Sequence, residues 1–65
     1  MISIQKNLLE MLWLRDMTIA DLAKSSGIST QHIYRIFNIP TALSVPTLKK
    51  FAKALGCTPG WLTRE

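Results

Sequence analysis

The sequence predicts an all-α fold of five short helices. Three observations point there. Apolar residues recur at helical spacing and nowhere alternate as strands do, serines and threonines stand where helices would open, and glycine or proline falls where they would end. The expected helices lie at about 3–15, 18–25, 29–37, 45–55 and 58–64, in a single domain covering 1–65.

Ser3 is placed to cap the first helix, which carries Ile4, Leu8, Met11 and Leu12 at helical intervals. Thr18 suits the N-cap of the second, with Asp21 three residues on as a shortened capping-box partner. This helix holds Leu22 and Ala23 and runs out at Ser25-Ser26-Gly27. Ser29 caps the third, with Ile33, Ile36 and Phe37 inward. Pro40 then bars its continuation.

Ser44 or Val45 opens the fourth helix, with Pro46 in its first turn. Leu48, Phe51, Ala52 and Leu55 form its buried stripe, and Gly56 sits where a left-handed C-cap belongs. Thr58-Pro59 reads as the cap and first position of a terminal turn holding Trp61 and Leu62.

Bulk properties narrow the function. A chain of 65 residues buries only about 60% of the surface its unfolded form exposes, so it needs economical packing or a partner. The lone Cys57 excludes an internal disulfide, and no Cys/His cluster suggests zinc, which points to a reducing, cytoplasmic setting. No cofactor is expected. The apolar run Leu8 to Leu14 is broken by Glu10 and is far short of the roughly 20 residues that span a bilayer. No secretory signal is visible, and no membrane role is expected.

Net charge is +4, and from Leu22 to Arg64 there are six bases and no acid. That asymmetry suits a polyanionic partner, or else a basic face with no task. Catalysis is not expected. No paired carboxylate occurs in the C-terminal two-thirds before Glu65, and His32 and Cys57 fall on different elements with no third group to orient them.

The informative spacing joins Leu22, Ala23, Gly27, Ile28, Ile33 and Ile36. Two helices crossing at about 90–120° over a tight turn need a small residue at the crossing, which Ala23 supplies. They also need a turn residue that tolerates positive φ, met by Gly27, and a plug into the core, met by Ile33. Residues 19–38 therefore read as a helix-turn-helix.

The run Thr18-Ile19-Ala20-Asp21-Leu22-Ala23-Lys24-Ser25-Ser26-Gly27-Ile28-Ser29 resembles the helix-turn-helix of the lambda repressor and Cro family (XRE-type). Ser44 to Leu62 is similar to the fourth and fifth helices of that family. The resemblance covers about Ile4 to Leu62. It implies a transcriptional regulator of phage or bacterial kind that binds double-stranded, pseudo-palindromic operator DNA as a homodimer, with no small-molecule ligand.

By the same resemblance, Thr30, Gln31, Tyr34 and Arg35 on the third helix are the base readers. Gln31 suits adenine, Arg35 guanine, and Thr30 a thymine methyl or a phosphate. Phosphate contacts are expected from the amides of Thr18 and Ile19 at the start of the second helix. Further contacts are expected from Ser29, Asn38 and Thr41. Lys49 and Lys53 share a face that either contacts DNA or serves solubility. His32 either meets a phosphate or faces solvent, with solvent the expectation.

Three departures from the family pattern stand out. Ile19 takes the place where many relatives carry a phosphate-clamping glutamine. Leu12 and Phe37 stand where relatives hold an Arg–Glu pair, which suggests an apolar contact in place of a buried ion pair. The first helix also carries more apolar residues than one buried stripe requires, so Leu9 or Trp13 should be partly exposed. Leu9, Trp13, Trp61 and Leu62 are candidates for a dimer or partner interface, with core closure the alternative for the last two and folding against the terminal segment or the linker the alternative for Trp13. A second functional reading follows: a protein-interaction module, such as an antitoxin or antirepressor partner, working through the apolar first helix.

Overall fold

The computed structural model describes residues 4–64, so the expected Ser3 cap lies outside the described residues. Five α-helices follow in order: α1 (Ile4–Leu14), α2 (Ile19–Ser26), α3 (Thr30–Asn38), α4 (Val45–Leu55) and α5 (Pro59–Leu62). A single 3₁₀ turn, Pro40–Ala42, lies between α3 and α4. Among the described residues there is no strand.

The capping residues act as their chemistry dictates. Thr18 Oγ1 accepts from the Asp21 amide at 3.1 Å while the Asp21 carboxylate accepts from the Thr18 amide at 2.9 Å, a closed capping box. Ser29, Ser44 and Thr58 each accept from the amide three residues on, those of His32, Thr47 and Trp61. Each such cap is worth about 0.5–2 kcal/mol.

Two glycines end helices where an L side chain would be strained. Gly27 (φ 75°) closes α2 with its amide on the Ala23 carbonyl. Gly56 (φ 69°) closes α4, with its own amide on Lys53 O and that of Cys57 on Ala52 O, a Schellman pair. α1 ends by the same device on a non-glycine residue. Asp16 takes φ 54°, its amide bonds Trp13 O, and Met17 N bonds Leu12 O. Aspartate is among the few side chains that tolerate this region, and the sequence alone does not announce it.

The fifth helix is shorter than the expected 58–64. Asn7 Nδ2 donates to the carbonyls of Leu62 and Arg64, both at 2.8 Å. Thr63 Oγ1 bonds the carbonyls of Pro59 and Gly60. These side chains satisfy the carbonyls that further helical turns would have used. α3 reaches Asn38 and stops at Ile39, since the residue before a proline is pushed out of the helical region.

One core draws on all five helices, with Leu8, Leu22, Ile33, Phe51, Leu55 and Leu62 almost fully buried. α2 packs on α3 and α4, while α1 packs on α3 and α5. Leu12 is buried in this core and Phe37 packs against it. Arg15 fastens the end of α1 to the end of α4, its Nε donating to Leu55 O at 3.0 Å.

Candidate nucleic-acid interface

The face of α3 follows from where its partners lie. Ile33 and Ile36 are buried and Phe37 is half-buried against the core. A helix turns 100° per residue, so the side away from Ile33 and Ile36 holds positions 31, 34, 35 and 38, with Thr30, the first residue of the helix, at its edge. Thr30, Gln31, Tyr34, Arg35 and Asn38 are indeed all exposed. They form two adjacent rows, Thr30–Tyr34–Asn38 and Gln31–Arg35. The structure thus brings all four expected base readers, together with Asn38, onto one continuous surface.

That surface is aimed by local bonds and core packing. The Ser29 cap fixes where α3 begins, and the left-handed Gly27 turn sets its path from α2. The two isoleucines then lock its rotation about its own axis, because a turn of α3 would expose them to water. The side chains on the far side therefore stand on a rigid element.

The expected phosphate contacts divide by what their groups already do. The Ser29 hydroxyl accepts from His32 N at 3.2 Å. Its proton remains for donation, because a hydroxyl both donates and accepts. Thr18 is exposed, yet its amide and hydroxyl are both engaged in the capping box. The box sets the Asp21 carboxylate at the same helix end. Ile19 is half-buried against the core, so only its amide can face a phosphate. Asn38 and Thr41 are exposed, Thr41 being carried by the 3₁₀ turn that Ala42 N closes on Ile39 O.

Electrostatics reinforces the division. Hydrogen bonds from the Thr18 amide and then its side chain hold the Asp21 carboxyl below its usual range, with Lys24 assisting. This end of α2 thus carries a fixed negative charge beside its helix dipole. On α3 the single charge is Arg35.

His32 departs from the solvent-facing expectation. The residue is half-buried, and its Nε2 is enclosed with no hydrogen-bond partner among the described residues. Lys50 and Lys53 line a recess with Ser25, Ser26 and Ala54 where α4 meets the end of α2. The recess thus groups Lys53 with Lys50, in addition to the Lys49 four residues before it.

The four interface candidates separate as well. Leu62 is fully buried and takes the core alternative. Trp61 is half-buried against the core under the Arg64 guanidinium, 4.2 Å from its ring centroid. Leu9 and Trp13 stand in water, 46% and 79% exposed. Cys57 is half-buried, and its desolvation raises the thiol pKa against a smaller opposing effect of Arg15. Among the described residues no group of three or more His, Cys, Asp or Glu could hold a metal ion. No helix among them is long and apolar enough to cross a membrane.

Compared with known proteins, residues 6–62 match a family model described as Helix-turn-helix. No curated protein and no solved structure matches the chain.

Proposed function

The chain belongs to the lambda repressor-type helix-turn-helix family, a DNA-binding family, and from that membership we propose that it is a sequence-specific transcriptional regulator. It binds a pseudo-palindromic operator as a homodimer, each copy laying α3 in a major groove, and it works in the cytoplasm of a bacterium or a phage-infected cell. One observation carries this reading: five exposed side chains with polar groups share one face of a helix whose other face is locked in the core.

The chemistry of that face fits base edges. Gln31 offers an amide that pairs with adenine N6 and N7, and Arg35 a guanidinium fork for guanine O6 and N7. Thr30 and Tyr34 flank them. Ser29, Asn38, Thr41 and the Ile19 amide supply the surrounding phosphate contacts, while Thr18, whose amide and hydroxyl are held in the capping box with Asp21, does not. The family is not typically enzymatic, and the proposal needs neither a cofactor nor a small-molecule ligand.

Selection of bound duplexes from a random pool, at about 100 mM salt, tests the proposal. The expected outcome is a pseudo-palindrome whose half-sites lie about 10–10.5 bp apart, one helical turn. Affinity for it should fall with salt at a log–log slope of about −0.9 per phosphate neutralised. The exposure of Trp13 favours a second reading, a protein-interaction module of antitoxin or antirepressor type. No enrichment from the pool, with a salt-independent protein partner, would establish that reading instead.

A further inference from the structure

α4 packs on α2, and beside the end of α2 the two leave a recess of about 380 Å³ lined by Ser25, Ser26, Lys50, Lys53 and Ala54. Lys50 and Lys53 stand three residues apart on α4, so their side chains rise from one face. Both are exposed, and among the described residues neither meets a carboxylate. Ser26 is half-buried, and its hydroxyl oxygen accepts from the Ile28 amide at 3.2 Å, which leaves its proton to donate. Ser25 offers a second hydroxyl, exposed beside it.

The positive charge here exceeds what the fold uses. Cations near a helix C-terminus complement its dipole, which amounts to about half a negative charge. Two ammonium groups therefore leave a surplus of about 1.5 charges. The chain supplies no acid between Leu22 and Arg64 to offset it. Asp21, one helical turn before Ser25, is bound to the Thr18 amide, and Glu10 is held by Arg64.

The lining narrows the class of anion. It holds no aromatic ring on which a base could stack and, Ala54 apart, no apolar side chain. Two ammonium groups and two hydroxyls around one hollow are donors to several oxygens at once, more than a single carboxylate presents. We propose that the recess is a phosphoryl-binding site, distinct from the reading face of α3, none of whose residues lines it. The phosphoryl group belongs either to the DNA backbone beyond the bases that α3 reads or to a free phosphate anion. The first source rests on the proposed DNA binding, and the second stands without it. Binding is loose, because exposed charges are screened by water and salt.

Two measurements on the full chain test the site, with circular dichroism confirming that each variant folds. In the first, inorganic pyrophosphate is titrated at low ionic strength and followed by amide chemical shifts, with the signals of Ser25, Ser26, Lys50, Lys53 and Ala54 expected to move. Replacing both lysines, Lys50→Gln with Lys53→Gln, should weaken this binding by about 2- to 30-fold. Lys49→Gln removes the same charge just outside the recess and should bind as wild type does. In the second, the selected operator duplex is titrated over a range of salt. The double variant should reduce the log–log salt slope by about 0.9 per lysine and keep the base preference.

A response to the duplex alone assigns the phosphoryl group to DNA, and a response to pyrophosphate alone assigns it to a free anion; either supports the site. No response in either measurement overturns it, and so does a Lys49→Gln variant that loses as much pyrophosphate binding as the double variant. If wild type binds no duplex, the DNA-reading function fails and the pyrophosphate titration alone decides the site.

Discussion

α3 and α1 each turn one side to the core and one to water, and the outward side of α1 mixes large apolar side chains with Gln5, Lys6 and Glu10, whereas that of α3 is polar throughout. On α3 the exposed positions are Thr30, Gln31, Tyr34, Arg35 and Asn38, all with hydrogen-bonding heads. On α1 they include Leu9, Trp13 and Leu14, which offer almost none. Exposure alone therefore says little about function. A polar face on a rigid helix discriminates among ligands by direction, because each hydrogen bond needs a particular partner at a particular angle. An apolar face discriminates by shape and by the charges at its ends. One fold thus carries two kinds of exposed surface.

The largest expected effect separates the two faces outright. Arg35→Ala should weaken binding to the selected operator half-site by about 5- to 150-fold, corresponding to about 1–3 kcal/mol, and relax the preference at one base. Trp13→Ala should leave half-site affinity unchanged. Titration of labelled half-site duplexes checks both, and equal losses on all sequences would make Arg35 a phosphate contact.

Asn7→Ala removes the donor that holds the Leu62 and Arg64 carbonyls, at a cost of about 1–3 kcal/mol. Chemical denaturation should show the loss, with base preference retained in the folded protein. Unchanged stability would mean that the α1–α5 junction does not depend on this side chain.

His32→Leu tests the support beneath α3. Replacing a buried, unpartnered ring nitrogen with an apolar group should raise stability by about 1 kcal/mol, or roughly 4–8 °C in Tm. The operator preference should not move. A lower Tm would show that the ring nitrogen is satisfied in solution.

The smallest effect concerns Asp21. Its carboxyl pKa is lowered in the folded state, so its contribution is present above the unfolded value, near 3.8, and is lost as pH falls through the folded one. Asp21→Asn should flatten the stability profile below about pH 4 and lower neutral stability slightly, toward the level wild type reaches in acid. Thermal melts across roughly pH 2–6 check this, and an unaltered acid profile would remove the capping box as its source.

What the sequence determined by itself lies within a few residues of chain. The caps at Thr18, Ser29, Ser44 and Thr58, the left-handed Gly27 and Gly56, and the polar face of α3 could all be read. Each depends on atoms no more than one or two helical turns apart, where helical geometry fixes the distance. The tertiary structure decided the rest. It chose Asn7 and Arg15 as long-range caps, reaching across to the carbonyls of Leu62 and Leu55. It enclosed the His32 ring, sent Leu62 to the core and left Trp13 in water. These outcomes depend on which helix arrives beside which, and a hydrogen bond or an apolar contact over that separation exists only once the whole core has closed.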